Sequence, residues 1–339
     1  DGQKYNYAKM DVRLEDAVTV QLKRNAGESY IELLTIVPPV GHGNIVMATD
    51  DKVAANTKRL QYEDSLRNAY LSTFKTEADA ASIHNDNLSQ EQIGTFLKKS
   101  EGNYAELISF LHDYQNQQQG LYLYELLNSL SDKDLRDFSA NILQQHVTTY
   151  DSTKADYPFD VYVKGIISPR IANEGLRPWR KPLKTALAKE LDNQISVAAI
   201  HDWISRHIQI DNDANYFNCP ISPQGVYQLR WSDEHSRDIF FVAACRSLDI
   251  PAYLDPATEQ LFAYENGLWN IISFAENAEK AATGKLVITY DKLDWLKPVY
   301  WTNFTIAKYE DGDFVTFDYE NDPRVSNFPI TLELEAGYY

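Results

Sequence analysis

The sequence predicts an α+β chain made of several domains, and three observations carry that expectation. At 339 residues the chain exceeds the common size of one domain. Strand-like alternation occupies its two ends, while residues 51–150 have a helical texture. Between them, Ile239 to Cys245 is apolar on every side, which suits only a helix wrapped by other elements.

The elements follow in order. Tyr5 to Ala8, Val18 to Leu22 and Tyr30 to Leu34 alternate as strands, with a turn at Asn25-Ala26-Gly27. Residues 1–50 therefore read as the end of a β-sandwich module, closed by Pro38-Pro39 and continued as a linker through Gly41-His42-Gly43. In a helical region over 51–155, Leu60, Leu66, Tyr70 and Phe74 recur near the helical period. Ser89 and Gln92 make a capping box ahead of Ile93, Phe96 and Leu97. Ser131 caps a helix carrying Leu135, Phe138, Ile142 and Leu143 on one side.

In a third segment, 156–280, Ser196 caps a helix with Val197, Ile200, Trp203, Ile204, His207 and Ile208 at helical spacing, and Ile221 to Tyr227 connects it onward as a loop. The apolar helix starts from Ser232 as N-cap, with Asp233 and Glu234 in its first turn, where carboxylates oppose the helix dipole. It stops at Asp249-Ile250-Pro251, because proline disfavours helical geometry just before it and Asp tolerates a left-handed cap. From 281 to 339 strands return at Leu286 to Tyr290, Phe304 to Tyr309 and Phe314 to Tyr319, with a hairpin turn at Asp311-Gly312. This last segment reads as a truncated β-sandwich, ending in the alternating run Leu332 to Ala336. Both ends look cut from a longer protein, so the lack of a leader says nothing about secretion.

Charge and cysteine content exclude whole classes. With 32 basic against 49 acidic residues the net charge is -17, which repels phosphate backbones and anionic membranes. Nucleic-acid binding is thus disfavoured, and no apolar run is long enough to insert in a membrane. Cys219 and Cys245 suggest neither a disulfide framework nor a metal site, and no cofactor motif is present.

The run from Ser232 to Tyr253, ending in Arg246-Ser247-Leu248-Asp249-Ile250-Pro251-Ala252-Tyr253, resembles the core helix of the transglutaminase-like branch of the papain-like superfamily. In that family a nucleophilic Cys opens a buried helix that closes on Arg-Ala-Leu-Gly-Ile-Pro-Ala-Arg about twelve residues later; the same distance back from Arg246 lands on Glu234. The family's His-Ala-Trp strand has its counterpart in Glu259 to Tyr264, followed by Gly267 to Ser273. No His occurs after His235; Gln260 stands where the family's His belongs, and Ser273 or Asn270 where its orienting partner belongs. A thiolate needs a base, and the base needs orienting.

The resemblance spans roughly residues 165 to 275 and implies a papain/transglutaminase-like core whose three catalytic roles have become vestigial at Glu234, Gln260 and Ser273. It further implies a secreted, periplasmic or envelope-associated bacterial protein with a protein or peptide partner, or a glycan.

Other groupings are weighed against ordinary structural roles. Asp233, Glu234 and Asp238 could form an acid/base set, yet a helix N-terminus stabilises such anions without chemistry. His235 and Ser236, adjacent on a helix, point about 100° apart and do not face each other. The loop 168–180 gathers Arg170, Arg177, Trp179 and Arg180, which could recognise a carboxylate or a sugar face or could simply pin the loop. With Arg237 and Trp269 these are the ligand-binding candidates, and Arg246 is expected to hold carboxylates or backbone carbonyls. The leading expectation is a non-catalytic transglutaminase-like protein that binds or supports structure. The alternative is an active cysteine peptidase or transglutaminase with a displaced centre, for which Cys219 is the accessible thiol.

Overall fold

Hydrophobic burial sorts the chain into three cores, one helical, one centred on a single helix, and one formed by short strands. The structure, a computed structural model, describes residues 48–274, 283–290, 297–310, 312–320 and 322–339. The strands expected between Tyr5 and Leu34 lie outside the described residues, as does Asp311 of the expected hairpin turn.

Helix α1 (Asp50–Leu71) departs from expectation. It forms, yet none of its residues is buried, and Leu60, Leu66 and Tyr70 are exposed. Surface pairs such as Arg59 with Glu63 support it locally in place of packing. The first core is built instead by α2 (Gln90–Ser100), α3 (Tyr104–Asp113), α4 (Leu123–Asn128), α5 (Asp132–Asp137) and α6 (Ala140–Gln144). α2 opens on the expected capping box: the Ser89 hydroxyl accepts from the Gln92 amide at 3.2 Å, and Gln92 Oε1 accepts from the Ser89 amide at 2.9 Å. Ser131 caps α5 in the same way through Asp134. The single helix expected beyond it is two, because Phe138 is extended (ψ 152°) and Asn103 Nδ2 takes the carbonyls of Leu135 and Phe138 at 3.1 and 2.9 Å. The Ala140 amide then donates to Glu106 at 2.7 Å and starts α6 afresh.

After α7 (Phe159–Tyr162) and one π-helical turn, the second core surrounds α11 (Glu234–Ser247). Every residue from Ile239 to Cys245 is fully buried, as expected of a helix with no polar face. α8 (Arg180–Glu190), α9 (Val197–His207), α10 (Pro223–Leu229) and strands β3 (Ala252–Leu254) and β4 (Leu261–Glu265) enclose it. α10 occupies the stretch expected to be a loop: Ser222 caps it, accepting from the Gly225 amide at 3.2 Å, and Pro223 takes its first position, where a missing N–H costs nothing. The N-cap of α11 is Asp233, not Ser232. Ser232 belongs to β2 (Trp231–Ser232), paired parallel with β1 (Gln209–Ile210), and its carbonyl accepts from the Asp211 amide at 3.0 Å. Asp249 does adopt the left-handed cap, with φ 61°.

Strands β3, β4 and β5 (Leu268–Ile272) form an antiparallel sheet whose last hairpin turns at Asn266-Gly267, both with positive φ. Leu261 and Ala263 pack toward α11, so alternation directs Gln260, Phe262 and Tyr264 to the other face. In the C-terminal segment the described residues form two two-stranded sheets: β6 (Thr283–Ile288) with β9 (Ile330–Glu335), and β7 (Ala307–Glu310) with β8 (Asp313–Thr316). No described helix is long and apolar enough to cross a membrane.

Candidate functional site

The carboxylate of Asp233 accepts from the Ser236 amide at 2.9 Å, the Ser236 hydroxyl at 2.7 Å and Asn215 Nδ2 at 2.7 Å. Burial pushes this carboxyl up, but those hydrogen bonds outweigh it and hold it below the usual range. Glu234 is exposed; its amide donates to Asn212 Oδ1 at 2.9 Å, and its carboxylate accepts from Asn212 Nδ2 at 3.2 Å. His235 meets Asn173 Oδ1 at 3.0 Å, while Ser236 Oγ also accepts from the Ile221 amide at 2.9 Å. The two neighbours point apart, as helix geometry requires. Arg237 Nε donates to Asp238 Oδ1 at 2.8 Å, and its guanidinium lies 4.5 Å from the Phe274 ring. Burial pushes the Asp238 carboxyl up, against the pull of Arg237.

The positions to which the resemblance assigns catalytic roles have different surroundings. Gln260 sits on the face of the sheet turned away from α11, where its Nε2 donates to Glu335 at 3.1 Å. Ser273 follows β5, and its carbonyl accepts from His201 Nε2 at 3.0 Å. His201 in turn stacks on Phe274 at 4.3 Å, so one ring separates it from Arg237. Nothing in the sequence pattern singled out His201. Of the two thiols, Cys245 is fully buried and pushed well above its ordinary pKa by that burial. Cys219 is exposed, and among the described residues its thiol reaches only the Phe217 carbonyl, at 3.7 Å. Its loop is tied to α11 by Asn215, whose Nδ2 bonds both the Cys219 carbonyl at 2.9 Å and Asp233.

The outer face of the β3–β5 sheet forms one wall of a cleft of about 650 Å³, with β9 opposite. Lys164 Nζ lies 3.8 Å from the centre of the Tyr253 ring and 5.3 Å from that of Trp269. Tyr253 stacks on Phe262 at 4.8 Å and meets Trp269 edge-on at 4.9 Å. Arg324 bonds Asp255 at 2.7 and 3.2 Å. Gly165 lets the walls close: a Cβ there would fall 2.6 Å from Pro251 Cβ and 2.8 Å from the Trp269 ring. Of the sequence-derived candidates, Gln260, Trp269 and Asn270 line this cleft. Lys164, Tyr253, Asp255 and Arg324 were missed; they come from a π-helical turn, strand β3, the residue after it and a 3-10 turn near the C-terminus, and only tertiary packing brings them together.

The arginine-rich loop is a clamp. Arg170 Nε donates to Asp134 Oδ2 at 2.7 Å, its Nη2 to the second oxygen, and its Nη1 to the Glu174 carbonyl. Arg180 and Arg246 are each 3% exposed. Arg180 donates to the carbonyls of Arg246, Ile166 and Ser168, and Arg246 to those of Ala252, Ser168 and Arg170. Burial lowers both guanidiniums, to about 10 and about 9, leaving them charged at neutral pH. Trp179 is fully buried between His146 and Arg180, with its Nε1 on the Pro169 carbonyl at 3.1 Å, so it offers no face to a ligand. Arg177 is exposed. Among the described residues no group of three His, Cys, Asp or Glu could hold a metal ion.

Comparison with known proteins adds little. No family model matches the chain, and no curated protein does. A solved structure described as "a Putative Cysteine Protease from Cytophaga hutchinsonii" is similar over 34% of this chain and 42% of that one, at 20% identity and a TM-score of 0.25. The chain thus spans under half the length of that neighbour, and so slight a likeness bears no weight.

Proposed function

We propose that this chain is a non-catalytic transglutaminase-like module of a bacterial envelope or secreted protein, and that it binds a peptide segment of a partner in the cleft outside β3–β5. The observation that carries the reading is the composition of that cleft: a lysine over aromatic rings beside an Asp255–Arg324 pair, on a rigid sheet. Aromatic walls with a few fixed polar groups suit a ligand held by stacking and hydrogen bonds. The first turn of α11 offers Glu234, which is not a thiol and whose partners among the described residues are Asn212 and Arg237. One observation favours the alternative enzyme: Asn215 keeps the exposed thiol of Cys219 tethered to that same first turn.

Two variants test the reading. The parent protein and Cys219→Ala are assayed for peptide hydrolysis, glutamine deamidation and amine incorporation, and both are expected to be inactive. Turnover in the parent that a folded Cys219→Ala variant loses would establish the enzyme. Binding to a peptide array should in turn weaken in Trp269→Ala, by about tenfold or more for a stacked ring.

A further inference from the structure

A second cleft, of about 630 Å³, opens between the helical region and the pair α8 and α11. Arg180 and Ser247 line it from below, and Lys154, Lys181 and Lys184 stand around it. Lys154 pairs with Asp151 at 3.0 Å and Lys184 with Asp249 at 2.7 Å. Among the described residues Lys181 donates to the Gln144 carbonyl at 3.1 Å and Arg180 to carbonyls alone, so two positive charges there have no carboxylate in direct contact. That local surplus arises in a chain whose net charge is -17.

Two further features point the same way. Arg180 Nε and Ser247 Oγ are buried and have no hydrogen-bond partner among the described residues. Such groups cost stability when left unpaired, and the ones a protein keeps call for an explanation. The cleft also faces the start of α8, whose first turn carries Arg180 and Lys181 and no acidic residue, with no side-chain cap from Trp179. Two cations at the positive pole of a helix are unfavourable unless an anion joins them.

We propose that this cleft binds an oxyanion, the carboxylate or phosphate group of a small ligand, with Arg180, Lys181 and Ser247 as its donors. The tyrosines that complete the walls, Tyr150 and Tyr157 among them, would contact the rest of the ligand. The proposal does not depend on what occupies the first cleft.

The test is a set of thermal melts and calorimetric titrations of the full chain with inorganic phosphate and with acetate, each against chloride at equal ionic strength. One of the two anions is expected to raise the melting temperature beyond chloride, and which one does so separates a phosphate ligand from a carboxylate ligand. In chloride Ser247→Ala should melt at or above the parent, since its hydroxyl has no partner to lose, yet bind the anion about tenfold more weakly. Lys181→Met, at an exposed position, should show the same loss. The proposal fails if neither anion acts beyond chloride, or if parent, Ser247→Ala and Lys181→Met respond alike.

Discussion

Replacing Arg170 with Met should destabilise the protein by about 3 to 5 kcal/mol, because it strands the fully buried carboxylate of Asp134 without its counter-ion. Asp134 is also the capping partner of Ser131, so the start of α5 depends on the same group. In the parent, burial pushes the Asp134 carboxyl up, but the Arg170 and Ser131 hydrogen bonds outweigh it and the net shift is downward. A carboxyl depressed in the folded state contributes stability above its unfolded pKa of about 3.9 and loses it as pH falls through the folded value. In Arg170→Met the Ser131 hydrogen bonds remain but the guanidinium is gone, so burial weighs more heavily, the carboxyl moves up from its parent position, and protonation relieves part of the penalty. Denaturant unfolding of both proteins should therefore show a gap that is widest at neutral pH and narrows toward acid. A gap that is small or independent of pH would contradict the role assigned to this pair.

Enlarging Ala244 to Leu should cost about 1 to 3 kcal/mol or more, since it forces three carbons into a helix enclosed on every side. For a protein of this size such a loss lowers the melting temperature by several degrees, at about 2 to 4 °C per kcal/mol. An unchanged melting curve would mean that α11 is not the centre of its core. The matching change on α1, Val53→Leu, should have almost no effect, because that position is 53% exposed.

Local signals proved readable. The Ser89 and Ser131 caps, the Ser196 helix and the Asp249 stop are each decided within a few residues, so sequence spacing suffices. α11 was legible for another reason: an unbroken apolar run leaves no surface role open. What failed was decided at a distance. The cap moved from Ser232 to Asp233 because Ser232 is engaged in a parallel bridge to residues more than twenty positions away. The Pro-Gln-Gly stretch after Ser222 reads as a turn locally, yet packing against α11 makes it helical. Gln260 faces away from Glu234 because strand alternation, once Leu261 is packed on α11, leaves it no other direction. The aromatic cleft needs Lys164, Tyr253 and Arg324 to converge, and no short window of sequence holds all three.

The buried guanidiniums of Arg180 and Arg246 have a thermodynamic consequence. They hold carbonyls of Ile166, Ser168 and Arg170, while the Arg170 side chain reaches into the helical region to Asp134. Opening either core alone would break the hydrogen bonds and the Arg170–Asp134 pair that cross this junction. The penalty that would otherwise fall on one region is thereby shared, and partial opening becomes more costly than joint opening. Two cores that are separate as packing units are therefore expected to unfold as a single cooperative unit, with one denaturation transition and not two.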